Sequence, residues 1–188
     1  MIFRKEIIGK QFDEERALYH LKNTDVLDCS FAGPADGESA LKEARNVRLE
    51  NCNFSLRYPL WHTEGFQLHD SKLEEGCRAP IWYAKDGTIT DSDIHGTKAI
   101  RECSNIKISD CTITSEEFGW KSSGITVTDS SLNVISEGMV EKMPVTYPHS
   151  LIKNIAPGCT YVFNNKAMKI LRKYDCDKYG IDIHDWTA

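Results

Sequence analysis

The chain has 188 residues, 40% of them hydrophobic, and a formal net charge of −5, which bounds it to one sizeable domain, or one domain with an appendage. The mild acidity lacks the clustered Lys/Arg of a nucleic-acid footprint, and no apolar run nears the ~20 residues of a membrane-spanning helix. The opening Met1–Ile8 is too short and too charged for a secretory leader, and seven cysteines, an odd count without a Cys-x-x-Cys, point to a reduced cytoplasmic chain.

Residues 1–15 alternate apolar Ile2, Ile7, Ile8 and Phe12 with charges. A stack of repeats has an open end that needs a cover, so this segment is expected to be an N-terminal cap or an extra strand. From residue 16 to 138 one phrase recurs, most clearly as Asn51-Cys52-Asn53-Phe54. Asp or Asn stands at 28, 51, 70, 91, 110 and 129, Cys or Ser follows it, and a large apolar residue follows two further on: Phe31, Phe54, Leu73, Ile94, Ile113, Leu132. The spacings are 23, 19, 21, 19 and 19. A turn column (Asn23, Asn46, Gly65, Asp86, Asn105, Gly124) holds residues that tolerate left-handed backbone. Beyond it, period-two alternation around Val26, Leu49, Leu68, Ile89, Ile108 and Val127 reads as half-buried strands.

A repeat near 20 residues with no helix in it buries each unit's apolar face only against its neighbours. The leucine-rich pattern is missing. A second apolar column (Leu18, Leu41, Leu60, Ile81, Ile100, Gly119) instead indicates two or three strands per coil. The expected fold is therefore all-β, a right-handed parallel β-helix of about six coils. Identical positions then stack. The Asp/Asn column becomes an internal or corner ladder, and Cys/Ser fills tight bends. Segments 32–40 and 74–79 are insertions, which in repeat proteins gather on one face, often the binding face.

The phrase stops after Leu132. Residues 139–188 carry strand-like Tyr161–Phe163 and a helical pattern over Asn164–Tyr174, which predict a short α/β tail that caps the stack or forms a small appendage. Asp175, Asp177 and the Asp182–Asp185 run there meet no metal-site spacing; no metal or other cofactor is expected.

Function is read from the columns that face outward. One runs Tyr19, Lys42, Trp61, Trp82, Arg101, Trp120, and the next runs His20, Glu43, His62, Tyr83, Glu102, Lys121. Together they make an aromatic and basic stripe along the stack. Rings flanked by charged hydrogen-bonding groups suit a sugar chain, and a linear stripe suits a linear polymer. The candidate ligand-binding set is Tyr19, Lys42, Trp61, His62, Trp82, Tyr83, Arg101 and Trp120. The structural alternative is that the rings simply cover a corner. Arg57, Tyr58, Arg78 and Lys98, near Glu15, Glu38, Glu102 and Glu116, form either a groove for an acidic substrate or, more commonly, cross-coil salt bridges. No convergent carboxylate pair of the kind a glycosidase needs is legible, so no catalytic residue is assigned.

The phrases Phe31-Ala32-Gly33-Pro34-Ala35-Asp36-Gly37, Arg57-Tyr58-Pro59-Leu60-Trp61-His62, Cys77-Arg78-Ala79-Pro80-Ile81-Trp82-Tyr83 and Glu117-Phe118-Gly119-Trp120-Lys121 resemble an uncharacterised bacterial family of cytosolic right-handed parallel β-helix proteins in the pectin-lyase-like fold group. The resemblance spans about residues 5–132. It implies the fold and transfers no activity or site. Such proteins continue for more coils, so this chain is expected to be a truncated or C-terminally replaced member. The expected function is a non-catalytic β-helix protein binding a carbohydrate-like polymer. The alternatives are a polysaccharide lyase or glycoside hydrolase, and a protein–protein assembly module. Neither nucleic acid nor membrane is an expected partner, and the sequence sets no oligomeric state.

Overall fold

The computed structural model describes residues 4–134. These residues wind into a right-handed parallel β-helix of about seven turns, in which each coil contributes one strand to each of two seven-stranded parallel sheets. The first sheet runs β1 (Lys5–Ile8), β3 (Lys22–Leu27), β5 (Arg45–Glu50), β7 (Glu64–His69), β9 (Lys85–Thr90), β11 (Ser104–Ser109) and β13 (Ser123–Thr128). The second runs β2 (Gln11–Phe12), β4 (Ser30–Phe31), β6 (Asn53–Phe54), β8 (Lys72–Leu73), β10 (Asp93–Ala99), β12 (Thr112–Phe118) and β14 (Ser131–Val134).

The register matches the sequence columns. Val26 pairs with Leu49, Leu49 with Leu68, Leu68 with Ile89, Ile89 with Ile108 and Ile108 with Val127. All six are buried, so the period-two alternation puts one apolar row inside. Phe12, Phe31 and Phe54 stack along the second sheet, with centroids 5.2 and 4.5 Å apart. The row continues inward through Leu73, Ile94 and Ile113.

The six-coil expectation is one coil short, because residues 5–12 are a full rung. Ile7 pairs with Val26 and Phe12 with Phe31. Gly9 occupies the Asp/Asn position of this coil with φ +63, so the recurring phrase is disguised by a glycine. The Asp/Asn ladder lies at an exposed corner and not inside. Asp28, Asn51, Asp70, Asp91, Asp110 and Asp129 all have φ between +44 and +55, a conformation that Asp and Asn reach more easily than other side chains. Asn51 donates to Asp28 at 2.7 Å along this column. The turn column behaves alike, with Asn46 donating to Asn23 at 2.7 Å and Asn105 to Asp86 at 2.5 Å. The expected α/β tail, its strand at 161–163 and its helix at 164–174 lie outside the described residues.

The following Cys/Ser column is buried, and each side chain bonds to nearby backbone. Cys52 Sγ meets the Glu50 carbonyl at 3.3 Å, and the Ser71 hydroxyl accepts from the Cys52 N–H at 3.0 Å. Cys29, Cys52, Cys77, Cys103 and Cys111 are unbridged thiols. Burial pushes Cys52 and Cys111 up to about 11 and Cys77 up to about 12. Since these values are raised, the associated stability is lost only as pH climbs above the ordinary thiol range.

Two outcomes test this packing. A Cβ at Gly87 would fall 2.3 Å from the Phe66 ring, so Gly87→Ala is expected to destabilise by about 1–3 kcal/mol through overpacking; an unchanged denaturant midpoint would contradict it. Iodoacetamide at pH 8, followed by peptide mapping, should leave Cys52, Cys77 and Cys111 unmodified in the native protein and label them in guanidinium. Rapid native labelling would show that the column is open.

Candidate functional site

The side of each coil that joins the second sheet to the first is not a strand. Non-glycine residues there take left-handed backbone at every second position: Ser39, Leu41 and Glu43 with φ +63, +58 and +58, then Tyr58, Leu60 and His62 with φ +55, +61 and +57. Ile81, Tyr83, Ile100, Glu102 and Lys121 continue the pattern. A β-branched residue such as Ile81 (φ +61) or Ile100 (φ +55) costs on the order of 1–3 kcal/mol in this conformation. Two restraints hold it. Leu60, Ile81 and Ile100 are completely buried, and the backbone bonds from coil to coil. Ile81 N–H donates to Pro59 O at 3.1 Å, His62 to Trp82 O at 2.9 Å, and Tyr83 to Arg101 O at 2.9 Å. With its left-handed neighbours turned in or sideways, the residue between them faces outward, and one such position recurs per coil.

That position carries Lys42, Trp61, Trp82, Arg101 and Trp120, which form one continuous column. Lys42 Nζ lies 4.1 Å from the Trp61 ring centroid, Trp61 stacks on Trp82 at 5.5 Å and 12°, and the Arg101 guanidinium lies 5.4 Å from Trp82 and 5.8 Å from Trp120. His62 and Tyr83 form the adjacent column, stacked at 4.9 Å and 6°, with Trp61 beside His62 at 5.8 Å and Trp82 beside Tyr83 at 5.4 Å. Seven of the eight predicted residues thus stand together. Tyr19 keeps the backbone register, with the His20 N–H on Lys42 O at 3.0 Å, but its side chain turns to the adjacent column. Its ring packs on His20 at 4.1 Å, its hydroxyl donates to Glu43 at 3.4 Å, and 44% of it is exposed.

The stacking changes what the stripe offers. A one-coil rise of ~4.8 Å leaves no room for a ligand between rings, so their faces are occupied by one another and their edges look outward. Each contact is worth about 0.5–1.5 kcal/mol as a ring pair or ~0.5–2 kcal/mol as a cation over a ring. Stacking also outweighs hydrogen bonding here. Among the described residues the buried indole N–H groups of Trp61 and Trp82 find no acceptor, a loss of about 1–3 kcal/mol each.

The charged groups are tied in as well. Arg101 bonds Glu117 at 3.2 Å and Glu102 at 3.4 Å, and Lys98 reaches Glu117 at 3.6 Å. Arg57 meets Asp36 at 3.3 Å and Glu38 at 3.4 Å, so Arg57 and Lys98 serve the salt-bridge alternative. His20 Nε2 lies 2.5 Å from Glu43 Oε2, and this bond holds the Glu43 carboxyl below its ordinary value. The Tyr83 hydroxyl, bonded to Glu102, is raised. Partial burial lowers His62, against the opposing pull of Glu43. Tyr58, which the sequence grouped with Arg57, belongs instead to the ladder, tilted against Trp61 at 6.4 Å and Trp82 at 6.2 Å. Glu117 was missed as the anchor of Arg101; its only sequence signal was its place one coil after Lys98 in the same register.

Among the described residues no group of three or more His, Cys, Asp or Glu is arranged to hold a metal ion, and no helix is long and apolar enough to cross a membrane.

The lowered His62 gives a signed prediction. In the unfolded chain a histidine takes up a proton near pH 6.5, where folded His62 resists it. The stability of the wild type relative to His62→Asn should fall as pH drops from about 7 to 5. A difference constant across that range, measured by urea unfolding, would contradict the burial of the imidazole.

A family model described as "Protein of unknown function (DUF3737)" matches residues 5–167, which takes in the coils described above and runs beyond them. No curated protein and no solved structure matches the chain.

Proposed function

The chain belongs to the DUF3737 family, and we propose that within it this β-helix acts as a non-catalytic protein that binds a carbohydrate-like polymer along its outward stripe. The observation that carries the reading is the ladder from Lys42 through Trp61, Trp82 and Arg101 to Trp120, in continuous contact over five successive coils. A linear polymer meets the same chemistry at each step of such a row. Recognition is by ring edges and polar tips: the Lys42 ammonium, the His62 imidazole, the Tyr83 hydroxyl and the exposed edges of the tryptophans. The ammonium and imidazole donate to the ring oxygens and hydroxyls of a sugar chain. The Tyr83 oxygen, whose proton is engaged by Glu102, accepts from its hydroxyls, and the edges of Trp61 and Trp82, whose N–H groups are buried, give apolar contact. Because the ladder is already stacked these groups lose little freedom on binding.

Binding is favoured over the lyase or hydrolase alternative by what the stripe carboxylates do. Glu43 is engaged by His20, Glu102 by Arg101, and Glu117 by Arg101 and Lys98. Carboxylates committed to such bonds are poor candidates for an acid–base pair. The same proposal keeps the protein in the cytoplasm, where the unbridged Cys29 and Cys52 stay reduced.

Titration of intrinsic tryptophan fluorescence with soluble neutral and uronic-acid polysaccharides tests the reading. At least one is expected to shift or quench the emission, with affinity reduced tenfold or more in Lys42→Ala and in Tyr83→Ala. No response to any polymer, or a response that both variants preserve, would sink it.

A further inference from the structure

A groove lies on the outward face of the second sheet, where that sheet abruptly widens. Strands β2, β4, β6 and β8 are two residues long, whereas β10 and β12 are seven. The step is made by the inserted segment 74–79, whose 3₁₀ turn Glu75–Cys77 rises as a wall beside the longer strands. This wall is packed firmly. Cys77 is completely buried, with its thiol on the Phe54 carbonyl at 3.2 Å. Gly76 sits so close to the coil below that a Cβ would fall 2.6 Å from Ser55 O. Gly96 of β10 passes beneath the end of the wall, where a Cβ would fall 2.5 Å from Pro80 Cδ and 2.8 Å from Arg78 O. Lys98 N–H then donates to Arg78 O at 2.8 Å, joining wall and strand.

The groove so formed has a volume of about 250 Å³ and is lined by Glu75, His95, Gly96, Thr97, Thr114 and Glu116. His95 is oriented by Asp93, with Nε2 to Oδ1 at 2.9 Å. Among the described residues the Glu75 and Glu116 carboxylates have no bonding partner. Ionised carboxylates only accept, and threonine hydroxyls do both, so the lining has a surplus of acceptors and calls for a ligand rich in donors. The lining itself holds two carboxylates and no Lys or Arg, and nearby Lys98 and Lys72 are held by Glu117 at 3.6 Å and Glu74 at 3.9 Å, so an anion entering the groove meets its carboxylates first. The volume falls below the ~300–1,000 Å³ of sites for drug-sized ligands, which suits one ring and not a long segment.

From this we infer that the groove is a subsite for a single non-anionic sugar residue, neutral or amino-bearing, distinct from the aromatic stripe and independent of it. Glu75 and Glu116 accept from its hydroxyl or ammonium groups, Thr97 supplies a two-way hydrogen bond, and Asp93 holds His95 in place.

Isothermal titration with cellotetraose, a glucosamine tetramer and tetragalacturonate tests the inference at neutral pH. One of the first two should bind, at least tenfold more tightly than tetragalacturonate. Glu116→Ala and the groove-filling Thr97→Trp should each weaken that binding at least tenfold, with folding checked by circular dichroism; the stripe variant Lys42→Ala should not. The inference is overturned if neither probe binds, if both groove variants bind as the wild type does, or if the uronide is preferred. If only Lys42→Ala weakens binding, the stripe stands and the groove falls.

Discussion

In a stacked coil the nearest neighbour of a side chain is the same position one turn away. Coil-to-coil backbone bonds fix that neighbour at a rise of ~4.8 Å, and the parallel register from β1 to β13 and from β2 to β14 leaves no freedom to slip. Each column must therefore be compatible with itself. Apolar rows such as Val26 to Val127 satisfy this by filling the interior. Phenylalanines do so by stacking, and Phe66 does so by taking the space that Gly87 leaves. Exposed corners do so with an Asn amide bonded to the oxygen of the Asp or Asn one coil earlier.

The connecting side of the coil obeys the same rule under greater strain. Alternate left-handed residues bend the chain sharply, and buried Leu60, Ile81 and Ile100 are kept in that conformation by neighbours above and below. Such strain tends to collect where a surface has work to do. Here its product is an outward column in which large residues stack on one another. Lysine and arginine are accommodated among the tryptophans because a cation over a ring face is as acceptable as another ring. Arg101 is further fixed by Glu117 and Glu102.

Much of this was legible in the residues. Asn51-Cys52 and its five echoes gave the coil spacing, and Leu49, Leu68 and Ile89 gave the buried strand face. The turn residues Asn46 and Gly65 were placed in left-handed backbone, where they stand. Three features escaped. Gly9 in place of Asp hid the first coil, because either residue satisfies the same backbone. Leu60 and Ile81 read as strand residues because alternating left-handed turns and strands both send every second side chain inward. The column placed Trp61 next to Trp82, but whether a rise of ~4.8 Å stacks their ring faces or splays them apart depends on side-chain torsions that the residue pattern does not contain. The groove was half legible: the insertion at 74–79 was marked as a feature of a binding face, but no repeat column or motif pointed to His95 and Thr97.

Residues 5–134 are therefore a parallel β-helix of the pectin-lyase-like kind whose outward features repeat along its axis, and that periodicity is the central claim about its function. Hydrogen–deuterium exchange, with and without a saturating polysaccharide ligand, tests it most directly. Slowed exchange is expected in segments 61–63, 82–84 and 101–103 together, one protected segment per coil in three successive coils, with the first sheet unchanged. Protection confined to a single coil, or to the outward face of the first sheet, would contradict the claim.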